Sequence, residues 1–207
     1  MKGAAYHHGD LKRVLLETAA KELETEGYEN LSLRGLAQHA GVTTRAPYRH
    51  FASREALLLA LAIEGAEILG DAYQAARTKS GDAIARLRAV CEAYLELAER
   101  RPQLFRLMFV SDVIMSEAIH PDWSRAVQAG YDLFEQSVAE AFPGLDPAGL
   151  RSHAAFCWAT IHGLALLRLH GRFERFTSRG DQEGAIIARS LDYLLSSAAP
   201  ERRSDTP

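Results

Sequence analysis

The chain of 207 residues is 47% hydrophobic and 25% charged, which allows one sizeable buried core and is ordinary for a globular protein. The apolar stretch AAFCWATIHGLALL is shorter than the roughly 20 residues that span a bilayer, and the amino terminus MKGAAYHHGD lacks the apolar core of a signal peptide. These features exclude a membrane-spanning protein and predict a cytoplasmic one, with Cys91 and Cys157 as buried thiols that lack metal or redox spacing.

Apolar residues recur at steps of three and four, and strand-like alternation is absent, so every predicted element is a helix. The first runs from Asp10 to Glu26 and ends at Gly27, where a left-handed residue is expected. The second covers Leu33 to Ala40, with Ser32 as its amino-terminal cap. Further helices are predicted at about 44–50, 54–77, 82–100, 103–116, 122–141, 147–171 and 182–198. The sequence therefore predicts an all-α fold of about nine helices.

The predicted helices fall into two groups. The first three are short and the later ones are longer, which indicates a small domain over residues 1–54 and a larger helical domain over residues 55–199. Residues 1–9 are predicted to form a flexible arm, and residues 200–207 a disordered tail.

The net charge of −3 conceals an asymmetry between these two parts. Residues 1–54 hold eight Lys and Arg against six Asp and Glu, which leaves the rest of the chain at −5. Residues 30–54 contain four arginines and no acidic residue. An acid-free basic window inside an acidic protein indicates an anionic partner for that window.

The segment LRGLAQHAGVTTRAPYRHF has the pattern of two helices that cross steeply through a tight turn. Ala37 is small where the two helices approach, and Gly41, four residues later, suits a turn that needs a positive φ. Thr44, Arg45 and Arg49 are then expected to face outward. From spacing alone, a helical hairpin without a DNA-binding role remains the alternative.

The chain from His7 to Ala62 resembles the DNA-binding region of the TetR family of bacterial transcription regulators. The matching residues are Ala19-Ala20, Gly27-Tyr28, Leu36-Ala37, Gly41-Val42, Tyr48-Arg49-His50-Phe51 and Glu55-Ala56-Leu57. A second stretch, CWATIHGLALL, resembles the Trp/His/Gly signature of one subgroup of TetR ligand domains, through Trp158, His162 and Gly163. The resemblance implies an amino-terminal three-helix DNA-binding domain joined to a helical domain for ligand binding and dimerisation.

The resemblance also implies that residues 44–50 are a recognition helix in the major groove of double-stranded DNA. The residues implied to contact DNA are Arg34, Thr44, Arg45, Tyr48, Arg49, His50 and Arg54. Arg45 and Arg49 would read base edges, since arginine grips guanine with two hydrogen bonds, and Thr44 would meet a base or a thymine methyl. Arg34 would contact a base or a phosphate, and the other three match positions that touch phosphates.

Pro47 lies inside this predicted helix, where it removes a backbone donor. If Thr43 caps the helix, Pro47 removes its first intrahelical hydrogen bond. If Thr44 caps it instead, Pro47 falls among the first donors, which lack a helical partner, and is tolerable in a short helix. Ala46 is then expected to be displaced from helical angles. In the family this position is usually apolar and faces the first two helices, so the ring of Pro47 is expected in the core.

The larger domain is implied to bind a small-molecule effector of unknown identity. Its candidate pocket residues are Phe105, Met108, Phe109, Trp158 and His162, although each of them also suits a packed core. His153 and Cys157 share a helix face, but His162 lies on the opposite side from His153. No metal site, cofactor or catalytic motif is therefore predicted.

The resemblance finally implies a homodimer through helices at about 147–171 and 182–198. The apolar residues expected in that interface are Leu150, Ala154, Cys157, Ile161, Leu164, Ile186, Ile187, Leu191 and Leu194. The predicted function is a repressor that binds a palindromic operator and is released by its effector. The alternatives are a non-specific nucleoid-type DNA-binding protein and, less well supported, an enzyme with an unrecognised site.

Overall fold

The computed structural model describes residues 8–116, 120–177 and 182–196. In these ranges it contains α-helices and two short 3-10 turns, Pro47–Arg49 and Phe173–Arg175, and no strand. The helices are α1 His8–Glu26, α2 Leu33–His39, α3 Arg54–Arg77, α4 Ala83–Arg100, α5 Pro102–Phe109, α6 Asp112–Ser116, α7 Pro121–Ala141, α8 Pro147–Leu169 and α9 Glu183–Ser196. The predicted all-α fold is confirmed.

The nine helices of the described part match the predicted number only because two differences cancel. The predicted third helix is not an α-helix, and the predicted helix 103–116 is divided in two. Ser111 lies at the division, where its hydroxyl donates to the carbonyl of Leu107 at 2.7 Å and accepts from the N–H of Ile114 at 3.4 Å. One buried side chain thus closes α5 and caps α6.

The chain divides into two compact units. The first contains the described residues up to 68 together with those in 101–128, and the second contains residues 69–100 and the described residues from 129 onward. This division differs from the predicted one at residue 54, since the first unit also takes the start of α3, α5, α6 and the start of α7. The boundary at residue 54, which separates the predicted DNA-binding domain from the predicted ligand-binding domain, stays a prediction.

Residues 1–7 of the predicted arm and the predicted tail, 200–207, lie outside the described residues. Helix α1 begins at His8, so the last two residues of the predicted arm are helical.

The first unit is built around the apolar stripe of α1. Leu15, Ala19 and Leu23 recur every four residues and are fully buried. Gly27 ends the helix with a φ of +79°, as predicted for a left-handed residue at this position.

In the second unit, α8 and α9 pack on α4. The prediction of which residues form the dimer interface is wrong in most of its members, because their side chains are already buried within a single chain. Those buried are Ala154, Cys157, Ile161, Leu164, Ile187, Leu191 and Leu194. A helix in a bundle has apolar residues on the face toward its own core, and the sequence pattern alone does not distinguish that face from a dimer interface.

Helix α8 begins as predicted. The carboxylate of Asp146 accepts the N–H of Gly149 at 2.6 Å, and Pro147 occupies the first helical position. At the other end, Arg168 pairs with Glu99 of α4 at 2.6 Å and with Glu183 of α9 at 2.5 Å. These contacts fix α8 between its two neighbours. No helix of the described residues is long and apolar enough to cross a membrane.

Candidate nucleic-acid interface

The helix-turn-helix segment starts with α2. The hydroxyl of Ser32 accepts the N–H of Gly35 at 3.1 Å and caps the helix as predicted. The chain then turns at Gly41, whose φ of +66° is the conformation expected there. The N–H of Val42 donates to the carbonyl of Ala37 at 2.9 Å, which closes the turn.

The segment that follows the turn is a correction to the sequence analysis, because residues 44–50 do not form an α-helix. They form a turn and the 3-10 turn Pro47–Arg49. Pro47 has no N–H, so the α-helical hydrogen bond from position 47 to Thr43 cannot form. The carbonyl of Thr43 instead accepts the N–H of Ala46 at 2.9 Å. Pro47 thus stands at the first position of a 3-10 turn, where no donor is required.

The expectation that Ala46 is displaced from helical backbone angles is also wrong. This residue has φ −62° and ψ −45°, which is right-handed helical geometry. A following proline disfavours that region without forbidding it, and two features offset the cost here. The N–H of Ala46 is bonded to Thr43, and the ring of Pro47 is buried, as expected for a core contact.

The side chains predicted to meet DNA are mostly exposed on this segment. Arg34, Thr44, Arg45, Tyr48 and Arg49 are exposed, with Tyr48 at 57%, and His50 is half-buried. An apolar ring as exposed as that of Tyr48 makes little contact with the core, which leaves it accessible to a partner. The structure therefore places six of the seven predicted residues at the surface of one short stretch and of the neighbouring helix α2.

This surface carries a group of arginines close together in the sequence and without acidic neighbours. Within the described part of the chain, Arg34, Arg45 and Arg49 have no carboxylate partner, whereas Arg77 and Arg168 pair with glutamates at 2.8 Å or less. The acid-free window of the sequence explains the difference, since the nearest residues along the chain offer no carboxylate. Three uncompensated guanidinium groups attract a polyanion.

Arg54 is the exception among the predicted DNA contacts. Its Nε donates to the carbonyl of Leu31 at 2.8 Å, and its Nη2 donates to the carbonyls of Tyr28 and Glu29. Its Nη1 lies 3.8 Å from the carboxylate of Glu55. Arg54 therefore fastens the start of α3 to the loop between α1 and α2, and its phosphate contact stays a prediction.

One contact that supports the interface was not found from the sequence. Nδ1 of His39 on α2 lies 2.6 Å from Oε1 of Glu22 on α1. Seventeen residues separate the two along the chain, so no helical spacing signals the pair. It joins the two helices that hold the turn.

The predicted effector residues lie in two places. Phe105 and Met108 are buried on α5 in the first unit, and the ring of Phe105 lies 4.7 Å from that of Phe109. In the second unit, the rings of Trp158 and His162 stack at 4.8 Å with an interplanar angle of 14°.

His162 has a second partner in the second unit. Its Nδ1 lies 2.7 Å from the hydroxyl of Tyr94 on α4. Burial lowers the pKa of His162 from its ordinary value near 6.5, because a charged imidazole is poorly solvated there. Burial raises the pKa of the Tyr94 hydroxyl, because a charged phenolate is also poorly solvated there. Both side chains are therefore uncharged at neutral pH. Among the described residues no three metal-ligating side chains gather in one place.

A helix-turn-helix segment whose second element is a 3-10 turn, with uncompensated arginines and a larger helical part after it, is typical of sequence-specific DNA-binding regulators. The protein families that the sequence matches support this class. Residues 15–61 match the family described as bacterial regulatory proteins, tetR family, and residues 87–194 match the tetracyclin repressor-like C-terminal domain. The chain belongs to the TetR family of bacterial transcription regulators.

Three similar proteins illustrate the match. The HTH-type transcriptional activator FasR of Mycolicibacterium smegmatis is 28% identical over 147 residues, which span 70% of this chain and 64% of FasR. A protein of unknown function from Rhodococcus sp. RHA1 is 32% identical with a TM-score of 0.78, covering 95% of this chain and 100% of that one. The regulator FadR of Bacillus subtilis, solved with stearoyl-CoA, shares the fold at a TM-score of 0.65 and 15% identity, covering 89% and 97%.

Proposed function

We propose that this regulator binds a palindromic operator as a homodimer and that a small-molecule effector releases it. The observation that carries the DNA-binding part is the group of uncompensated arginines, Arg34, Arg45 and Arg49, on the helix-turn-helix surface. Arg45 and Arg49 follow the turn, and in this proposal they read guanine edges in the major groove. A regulator of this kind acts in the cytoplasm, where the chromosome is.

We assign the phosphate contacts to the residues around Arg45 and Arg49. Tyr48 and His50 flank Arg49 and would donate to backbone oxygens on either side of the groove. Arg54 would add a contact only through Nη1, since its other nitrogens are bonded to carbonyls. A 3-10 turn is shorter than a recognition helix, so we expect few base contacts and a large share of the affinity from phosphates.

The proposed dimer uses the outer faces of α8 and α9. Ala155, Phe156 and Ala159 form an exposed apolar stripe on α8, with Phe156 at 53% exposure. Gly163 continues that stripe, and a Cβ atom there would meet nothing within 4 Å beyond the adjoining residues and backbone of its own helix. Small residues on an exposed apolar face allow a second helix to approach closely. Two-fold pairing there would present residues 44–50 of each chain, the reading segment, to successive major grooves about 34–36 Å apart.

For the effector we propose a small, largely apolar molecule. In the first unit, Phe109 on α5 is half-buried and retains surface for a ligand. In the second unit, Trp158 on α8 is 37% exposed and is a separate candidate contact. Phe105 and Met108 are buried and would contribute by repacking, which methionine tolerates well. An effector that prefers one conformation over the other changes operator affinity by a coupling free energy of about 1–3 kcal/mol.

A genomic selection with the purified full chain tests the proposal. Sheared genomic DNA of the source bacterium is bound at about physiological salt in the presence of competitor DNA, and the recovered fragments are sequenced. We expect a shared palindromic sequence with half-sites about one helical turn apart. Fragments without a common sequence would instead indicate a nucleoid-type protein.

The selection also identifies what is regulated. The genes beside the recovered operator suggest candidate effectors, and each is tested for its ability to release the protein from that DNA. We propose repression, by occupation of the promoter. A reporter fused to the operator tests this, since loss of the regulator should raise its expression. Lower expression would indicate activation, the mode named for FasR of M. smegmatis.

A further inference from the structure

The carboxylate of Glu24, near the end of α1, is bonded to the amino end of α5. Oε2 accepts the backbone N–H of Gln103 at 3.1 Å, and Oε1 accepts that of Leu104 at 3.2 Å. The Nε of Arg101 donates to Oε1 at 3.2 Å. One side chain of α1 therefore uses both carboxylate oxygens to hold a helix that lies more than seventy residues further along the chain.

The amino end of α5 requires such a partner. The first N–H groups of a helix have no acceptor within it, and the side chain of Arg101, the residue at the cap position, accepts no hydrogen bond from them. Pro102, the next residue, has no N–H to satisfy. The carboxylate of Glu24 takes the place of a local cap, and its negative charge is favourable beside the positive end of the helix dipole.

The same helix lies closely against α3. A Cβ atom built on Gly65 of α3 would come within 2.6 Å of Sδ of Met108 and 3.0 Å of Cδ1 of Leu104. Only a residue without a side chain allows this approach unless α5 or its side chains shift. Helix α5 is thus closely packed against α3, which follows the reading segment. It is also hydrogen-bonded to α1 through Glu24.

The contact continues from Glu24 toward the DNA-binding surface. Two residues earlier on α1, Glu22 pairs with His39 of α2 at 2.6 Å. Helix α2 leads directly into the turn at Gly41 and the arginines beyond it. A change in the position of α5 can therefore reach the reading segment through α1 and α2 as well as along α3.

We propose that Glu24 is a positioning residue for DNA binding, which touches no DNA and couples α5 to the reading segment. This inference rests on the proposed function and adds a route of regulation to it. Because Phe109 is on α5, an effector that contacts this helix would act on the Glu24 contact. A shift of α5 would thus reach the reading segment through α1 and α2, in addition to the continuous chain that connects α3 to that segment.

Two matched variants test the coupling, E24Q and E17Q. Each removes one negative charge from α1, and Glu17 pairs only with Arg13 on an exposed surface in the described structure. Loss of a negative charge from a DNA-binding domain strengthens DNA binding in general. We expect E24Q to weaken binding to the selected operator about tenfold instead, and E17Q to bind as tightly as the wild type or slightly more tightly.

Thermal unfolding of the same samples separates positioning from stability. If Glu24 only stabilises the fold, E24Q unfolds at a lower temperature and binds the operator normally at temperatures where it is folded. That result would overturn the inference. If E24Q does not fold, R101Q replaces it, since this variant keeps both amide bonds of Glu24 and removes only the guanidinium contact. It should weaken operator binding to a smaller extent, and unchanged binding would overturn the inference.

Hydrogen exchange gives a readout that does not depend on the operator. In E24Q we expect faster exchange of amides in α5 and also in residues 41–51, while E17Q changes neither. Faster exchange confined to α5 would contradict the coupling, even if no operator is found. Failure of the wild type to select any DNA sequence would count against the proposed function alone, since the exchange result would still stand.

Discussion

Arg54 Nε donates to the carbonyl oxygen of Leu31 at 2.8 Å, across 23 residues of sequence. This bond, with two more to the carbonyls of Tyr28 and Glu29, joins the first turn of α3 to the loop between α1 and α2. Backbone carbonyls in a loop have no helical partner, so one guanidinium satisfies three acceptors that water would otherwise hold. The relative positions of the three amino-terminal helices depend on this side chain.

Replacing Arg54 with alanine should lower the free energy of unfolding by about 1–3 kcal/mol, since it removes hydrogen bonds from a charged donor. Urea denaturation followed by circular dichroism measures this. Arg49→Ala is the control, because an exposed arginine without a carboxylate partner should change stability by no more than about 0.5 kcal/mol. If the Nη1 of Arg54 also holds a phosphate, R54A should reduce the salt slope of operator binding by about one. Equal stability of both variants would contradict the structural role.

Arg45→Ala should relax sequence preference at one base pair of each half-site, with a loss of about 1–3 kcal/mol. The physical reason is the loss of two hydrogen bonds to a guanine, which the other bases cannot replace. Binding to a set of operators with single substitutions measures the effect. Tyr48→Phe is the comparison, because loss of a phosphate contact should weaken all operators alike. If R45A weakened every operator equally, base reading by this residue would be wrong.

The stability of the second unit should depend on pH through His162. Its folded pKa is lowered by burial, so the unfolded chain binds a proton more readily than the folded one. The contribution of neutral His162 to the free energy of unfolding is then complete above the unfolded pKa near 6.5. It is lost as the pH falls through the lower pKa of the folded state. We expect the free energy of unfolding to fall as the pH drops below about 6.5.

The variant His162→Asn checks this, because an amide can bond to the hydroxyl of Tyr94 and does not titrate. Its stability should fall less steeply with acid than that of the wild type. His153, whose pKa burial also lowers, contributes to the slope in the same direction. The double variant with His153→Asn should therefore be flatter still, and an unchanged slope in both variants would exclude the histidines as the cause.

Phe156→Asp should dissociate the proposed dimer. Burying an unpaired carboxylate in an apolar interface costs several kcal/mol, whereas the exposed ring of Phe156 contributes little to the fold of one chain. Sedimentation velocity at micromolar concentration measures the change. Val127→Asp on α7 is a control, since Val127 is exposed to 38% and lies outside the proposed interface. A dimeric F156D protein would place the interface elsewhere.

The sequence determined the elements that depend on local chemistry. Gly27 and Gly41 were expected at positive φ because other residues adopt that conformation at a cost, and Asp146 was expected as a cap because its carboxylate reaches an amide three residues on. The lack of carboxylate partners for Arg34, Arg45 and Arg49 agrees with a window of the sequence without acidic residues. Each of these features depends on neighbours within a few positions.

The tertiary structure decided the features that depend on distant partners. The apolar residues of α8 face either their own core or a second chain, and the periodicity of an isolated helix is the same in both cases. The roles of Arg54 and Glu24 depend on backbone groups 23 and 79 residues away, whose positions only the packed helices fix. Pro47 lies between the two cases. Its missing N–H, which excludes the α-helical bond to Thr43, was evident from the sequence, whereas the burial of its ring and the helical angles of Ala46 were decided by the packed structure.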